Sequence, residues 1–142
     1  MGKSELITLL NEALIWEYTD IFLYLRQSGI VQDDKISKTF ERLAYAEMRH
    51  TDTISIQINV LGGKPNWELD YPIIEGGTDE ILRDHLNREE KAIQAYESLI
   101  ELAEKEREHQ LKLDLQTIKS EEESHLATIK QLLEKRRQSK EG

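Results

Sequence analysis

The chain has 142 residues, 33% of them charged and 38% hydrophobic, with a net charge of −9 and no cysteine. That length suits a single domain with a sizeable core, and the acidity argues against nucleic acid or an anionic membrane as partner, since phosphate contacts need clustered Lys and Arg. Without cysteine, disulfides, thiolate metal sites and a Cys nucleophile are excluded, so any metal must be held by Glu, Asp and His.

Met1-Gly2-Lys3-Ser4-Glu5 lacks an apolar signal core, and no stretch approaches the roughly 18 uninterrupted apolar residues of a membrane span, so a cytoplasmic location is expected. From about residue 4 to 27, Leu6, Leu10, Ala13, Glu17, Ile21 and Tyr24 recur at helical spacing, with Ser28-Gly29 as a stop; this is α1. The short connection to Asp34 sends α2, residues 35–61, back antiparallel. Its stripe is Phe40, Leu43, Glu47, His50, Ile54, Ile58 and Leu61, which puts a carboxylate and an imidazole where a core wants leucine. Leu61-Gly62-Gly63-Lys64-Pro65 ends it. The 16 residues that follow Leu61, to Gly77, hold both prolines and four of the seven glycines. Extended, they reach roughly 50 Å against roughly 40 Å for α2, enough for a crossover from one end of a bundle to the other.

Helix α3, residues 79–104 with Thr78 as N-cap, carries the stripe Leu82, Leu86, Glu89, Ile93, Tyr96, Ile100 and Ala103. Continuing that phase would bury Arg107 and Gln110. The stripe of α4, residues 110–137, instead runs Leu111, Leu115, Ile118, Glu122, His125, Ile129 and Leu132. The slip predicts a break between Lys105 and Gln110 although no Gly or Pro marks it, and the last residues after Arg137 are expected to fray. The fold class is all-α: one domain over residues 1–142, an antiparallel four-helix bundle with a single long crossover between α2 and α3.

All four helices contribute to one polar layer: Glu17, then Glu47 and His50, then Glu89, then Glu122 and His125. An isolated buried carboxylate is too costly to leave unpaired, and four of them balance two divalent cations. Carboxylate oxygens with imidazoles suit iron or manganese, with open positions where dioxygen or peroxide binds. The competing reading is a bundle whose inward Glu and His pair with one another. Glu90, beside Glu89, is rotated by about 100° to the flank. A third Glu-x-x-His, Glu106 to His109, falls at the break and reads as solvated surface. Tyr24 lies two turns beyond Glu17, either bonding a ligand, serving in electron transfer or filling the core; Trp16 and Trp67 read as packing anchors. Met48, between Glu47 and His50, projects away from the layer and on spacing alone reads as a packing or subunit contact.

Asn11-Glu12-Ala13-Leu14 leading to Glu17, Glu47-Met48-Arg49-His50, Leu61-Gly62-Gly63-Lys64-Pro65, Leu86 with Glu89, and Glu122-Glu123-Ser124-His125 together resemble bacterioferritin and its ferritin-like relatives, over about residues 5 to 135. Ferritin-like di-iron bundles carry a Glu on each of two helices and Glu-x-x-His on each of the others. The resemblance implies two iron ions per chain, with Glu17 and His50 as terminal ligands of one, Glu89 and His125 of the other, and Glu47 and Glu122 as bridges. It implies a ferroxidase that oxidises Fe(II) with dioxygen or peroxide for iron storage or detoxification. It also implies haem b on the two-fold axis of a dimer, with Met48 of each copy as axial ligand and Tyr18, Ile21, Phe22, Leu25 and Tyr45 as apolar walls. Only 17 residues follow His125 and α4 uses most of them, so the short fifth helix that closes a bacterioferritin's four-fold channels is expected to have no counterpart. A dimer is the expected minimum, with shells of 12 or 24 subunits open. A di-iron or di-manganese oxidoreductase of peroxidase or catalase type, without mineral storage, is the first alternative; no Cys-x-x-Cys module supports its rubrerythrin form. A non-catalytic helical assembly protein is the second.

Overall fold

A computed structural model describes residues 2–70 and 76–141. Its helices are α1 Gly2–Ser28, α2 Asp34–Val60, α3 Thr78–Lys105 and α4 His109–Glu141. The helical phase read from the sequence sets these bounds to within a few residues, and α4 continues past Arg137 to Glu141. Helix α1 pairs with α2 and α3 with α4, while α1 meets α3 and α2 meets α4 across the bundle. Bonds between α1 and α3 fix their sense: Gln27 meets His85, Tyr24 meets Glu89 and Glu17 meets Tyr96, so one number falls as the other rises. The two helices are antiparallel. Helices α2 and α4 are antiparallel by the same test, through His50 with Glu121 and Gln57 with Asp114.

Local chemistry accounts for the ends. Asp33 caps α2, its carboxylate accepting from the Ile36 N–H at 3.0 Å. Gly62, at φ 87°, closes the same helix, with Gly63 N–H donating to Ile58 O at 2.9 Å. A side chain at Gly63 would strike Ile7 Cγ2 at 2.7 Å, so α2 leaves the bundle pressed against α1. At the other end of the crossover the cap is Gly77, one residue earlier than the expected Thr78, which is already helical. Glu80 accompanies the shift: from the third helical position its Oε2 accepts the N–H of the cap residue Gly77 at 2.9 Å, the half of a capping box that needs no side chain on the cap residue itself. The break between α3 and α4 is a helix stop without glycine. Arg107 takes φ 58°, and Glu108 N–H reaches back to Ala103 O at 2.9 Å.

The described ends of the crossover are tied along α1. Asn11 donates to Lys64 O at 3.1 Å and accepts from Asn66 N–H at 2.7 Å, and Thr19 Oγ1 accepts from Asp70 N–H at 2.9 Å. The connection therefore runs up α1 from its N-terminal part, where α2 ends, toward its C-terminal part, beside which α3 begins. Residues 71–75 of the expected crossover lie outside the described residues.

The core is divided. One apolar cluster gathers Leu6, Leu10, Leu14, Ile54, Ile58, Leu99, Leu111, Leu115 and Ile118 toward one end. The other gathers Tyr24, Ile36, Phe40, Leu43, Leu82, Ile129 and Leu132 toward the opposite end. The polar layer lies between them. On α3 the buried face is broader than the expected stripe, because α3 is packed by both α1 and α4: Ile81, His85, Ala92 and Leu99 are buried, while Leu86, Ile93 and Ile100 are only partly so. Trp16 packs under Arg88, whose guanidinium carbon sits 4.1 Å above the indole, but Trp67 is 82% exposed on the crossover and anchors no core.

Candidate metal centre

Every residue expected in the polar layer is buried there. Glu17, Glu47, Glu89 and Glu122 expose 1% of their surface or less, His50 2% and His125 7%. Glu90 is exposed, so the phase of α3 selects Glu89. Glu106 is partly buried and His109 exposed at the α3–α4 break, away from the layer.

The six side chains form two overlapping donor groups, each with one ligand atom per residue inside 4.8 Å of the others. Glu17, Glu47, His50 and Glu122 make the first; Glu47, Glu89, Glu122 and His125 make the second. Glu47 and Glu122 are common to both. Each imidazole turns Nδ1 inward: His50 Nδ1 lies 2.9 Å from Glu122, 3.4 Å from Glu17 and 3.6 Å from Glu47. His125 Nδ1 lies 3.1 Å from Glu47 and 3.7 Å from Glu122.

These approaches are close but poorly directed. Both oxygens of Glu47, both of Glu122, Glu89 Oε2 and His125 Nδ1 are buried with no well-formed hydrogen bond. Such orphaned atoms are rare in native interiors and are the signature of a site shaped for something else. Divalent iron or manganese fits: hard oxygen donors with two imidazoles, and four carboxylates against two 2+ charges.

Electrostatics agree with that shape. Burial, reinforced by Glu17 and Glu122, pushes Glu47 well above the ordinary 4.5, and burial with Glu122 does the same to Glu89. Burial also works against Glu122, but the approach of Glu89, His125 and His50 outweighs it and holds that carboxyl well below 4.5. Burial disfavours charge on His50, yet its contacts with Glu122 and Glu17 prevail and raise it to about 11. In the metal-free layer protons thus stand in for cations, on His50 and on part of the carboxylate set.

A second circle of residues holds the donors; of these, helical spacing pointed only to Tyr24, expected to bond a ligand, serve in electron transfer or fill the core, and it bonds one. Tyr24, fully buried, donates its hydroxyl to Glu89 Oε1 at 2.9 Å, and Tyr96 donates to Glu17 Oε1 at 2.6 Å. Glu121 Oε2 sits 3.0 Å from His50 Nε2, fixing the face of the ring opposite the layer. His85 stacks on Tyr24 with centroids 4.0 Å apart, and its Nε2 meets Gln27 Oε1. Burial lowers His85 to about 3, so it is a neutral packing group. Asp20, 1% exposed, takes Arg88 Nε at 2.6 Å, and burial still pushes its carboxyl up to about 8. A groove of about 520 Å³ between α2 and α4, lined by Tyr45, Arg49, Glu121, Ser124 and His125 among others, reaches the layer from outside. Met48 is half-buried on the outer face of α2, near Tyr45, which is 60% exposed.

No helix is long and apolar enough to cross a membrane among the described residues. No curated protein matches the chain. Solved structures do. A ferritin-like, diiron-carboxylate protein from Bacillus anthracis str. Ames is similar at 26% identity with a TM-score of 0.90, over 94% of this chain and 98% of that one. The Rhodobacter capsulatus bacterioferritin, solved with a metal-free dinuclear site and haem iron in a crystallographic special position, is similar at 28% identity with a TM-score of 0.84, over 92% of this chain and 84% of that one. The Desulfovibrio desulfuricans bacterioferritin, at 23% identity and a TM-score of 0.87 over 94% of this chain and 80% of that one, shares the fold. The ferritin-like domain model matches residues 7–139, nearly the whole of the bundle with all six inward donors, and the chain belongs to that family.

Proposed function

We propose that the chain is a ferroxidase of bacterioferritin type, oxidising Fe(II) to Fe(III) with dioxygen or peroxide for iron storage or detoxification. The observation that carries this reading is the sharing of Glu47 and Glu122 between two donor groups inside one apolar bundle. Fe(II) held by the two groups would give up one electron per ion, the pair needed to take dioxygen to the peroxide level. The chain's own residues do the rest. Glu17 with His50 and Glu89 with His125 would each hold one ion, Glu47 and Glu122 would serve both, and the two apolar clusters exclude water from both ends. The groove beside His125 gives Fe(II) its route in, with Glu121 at the mouth.

Met48 on α2 and the exposed apolar side chains of α1 and α2, Phe22 at 38%, Leu25 at 41% and Tyr45 at 60%, suit docking of a second copy of the chain with haem b between the two methionines. The haem described in the Rhodobacter relative supports that extension.

Aerobic Fe(II) loading tests the proposal. Iron should be oxidised on mixing, and the purified protein should retain far more than two iron ions per chain. Two ions per chain with peroxide consumption and no further uptake would instead place the chain with di-iron or di-manganese peroxidases. No metal bound at all would leave a structural assembly protein.

A further inference from the structure

The four carboxylates of the layer are not alike. Glu47 and Glu122 keep both oxygens without a well-formed hydrogen bond, whereas Glu17 and Glu89 each have Oε1 taken by a tyrosine. The oxygens left over match the donor groups served: Glu47 and Glu122 belong to both groups, Glu17 and Glu89 to one each. The tyrosines are exchanged. Tyr24 follows Glu17 by seven residues on α1, and Tyr96 follows Glu89 by seven on α3, yet each hydroxyl bonds the carboxylate of the other helix. Antiparallel packing of α1 on α3 makes this exchange possible, because two turns along one helix lie opposite the starting level of its partner.

We propose that Tyr96 is a positioning residue of the metal centre: by occupying Glu17 Oε1, it makes Glu17 a one-oxygen, one-metal ligand and keeps it from acting as a third bridge. The remaining oxygen, Oε2, faces His50 Nδ1 at 3.4 Å, on the side of the first donor group only. This deepens the di-metal reading and rests on it. The ring of Tyr96 packs beside Ala13, Ala92 and Leu99 along a groove of about 370 Å³ between α1 and α3, so Phe fills the same place and removes only the hydroxyl.

Co(II) titration of the full-length metal-free protein, followed by its visible absorption, tests the proposal. Wild type should bind two ions. Tyr96→Phe should leave one step in place and weaken the other roughly 10- to 100-fold, the usual cost of losing such a supporting partner. The decisive variant is the double substitution. In a Glu17→Gln background, where the carboxylate is already gone, Tyr96→Phe should cost nothing further; in a Glu89→Gln background it should weaken the one strong step that remains. A purely structural role for Tyr96 would lower binding equally in both backgrounds and would overturn the proposal. So would two unaltered steps in the single variant. Wild-type protein that binds no Co(II) would overturn the di-metal reading and this proposal with it.

Discussion

Metal should stabilise this bundle, and by an amount that each ligand substitution divides in a particular way. Each ion that binds only the folded chain adds about 2.7 kcal/mol at a hundredfold excess over its dissociation constant, so two ions add roughly 5 kcal/mol. For a domain of this size that corresponds to a rise in melting temperature of roughly 10–20 °C. Glu89 serves one donor group and Glu47 serves both. Glu89→Gln should therefore keep about half of the metal-dependent rise, and Glu47→Gln should lose nearly all of it. Glu90→Gln, on the exposed flank, should keep the whole. The assay is thermal unfolding by circular dichroism with and without excess Zn(II) or Co(II), which avoids redox chemistry. Comparing each variant with its own metal-free form removes the gain expected when a buried carboxyl is neutralised. Equal loss in Glu47→Gln and Glu89→Gln would refute the shared-bridge geometry, and any loss in Glu90→Gln would refute the phase of α3.

In stopped-flow Fe(II) oxidation, Glu89→Gln should lose at least tenfold in rate while Glu90→Gln stays within twofold of wild type. The metal-free protein should show an inverted pH dependence. Glu47 and Glu89, raised above 4.5, stabilise fold below that value and progressively less as pH climbs, and His50 acts the same way between about 6.5 and 11. Glu122, held low, contributes above 4.5 and is lost in acid. Urea midpoints should accordingly be higher near pH 5.5 than near pH 8 without metal, while the increment due to metal grows with pH as protons cease to compete. Arg107→Gly, which relieves a side chain at φ 58°, should stabilise by about 1 kcal/mol, seen as a higher denaturant midpoint at unchanged slope. Added haem should give a bis-methionine spectrum in wild type and none in Met48→Leu; a spectrum that survives the substitution rules out Met48 as the axial ligand.

The fold and the inward donors were legible because both depend on a residue's place along its own helix. Glu47, His50, Glu122 and His125 interrupt apolar stripes at positions that spacing alone assigns to the interior. The α3–α4 break was legible for the same reason: phase slips there even though Arg107 occupies the place where glycine is usual. What escaped the sequence depends on partners from other helices or from outside the periodic segments. Tyr96 read as one more stripe residue, and nothing in its spacing from Glu89 says that it bonds Glu17. Glu121 lies outside the apolar stripe of α4, and only the packing of α2 places His50 Nε2 against it. Asp20 and His85 lie off the expected stripes and are buried because α1 and α3 close on each other along a broader face than one stripe. Thr78 lost the cap to Gly77 through a glutamate two residues further on, a local competition that cap preferences alone do not rank.

The division of labour between hairpins carries a dynamic consequence. Helices α1 and α2 bring Glu17, Glu47 and His50, and α3 and α4 bring Glu89, Glu122 and His125, yet each four-residue group takes three donors from one hairpin and one from the other. Ions bound there would be stitches across the seam between two half-bundles. Removing them should leave each hairpin's own pairing intact while the seam breathes, so amide exchange on chelation should quicken first along the layer-facing turns around Glu47 and Glu122, ahead of global unfolding. On the di-metal proposal the chain is less a rigid box than two leaves of a hinge that bound metal would draw shut.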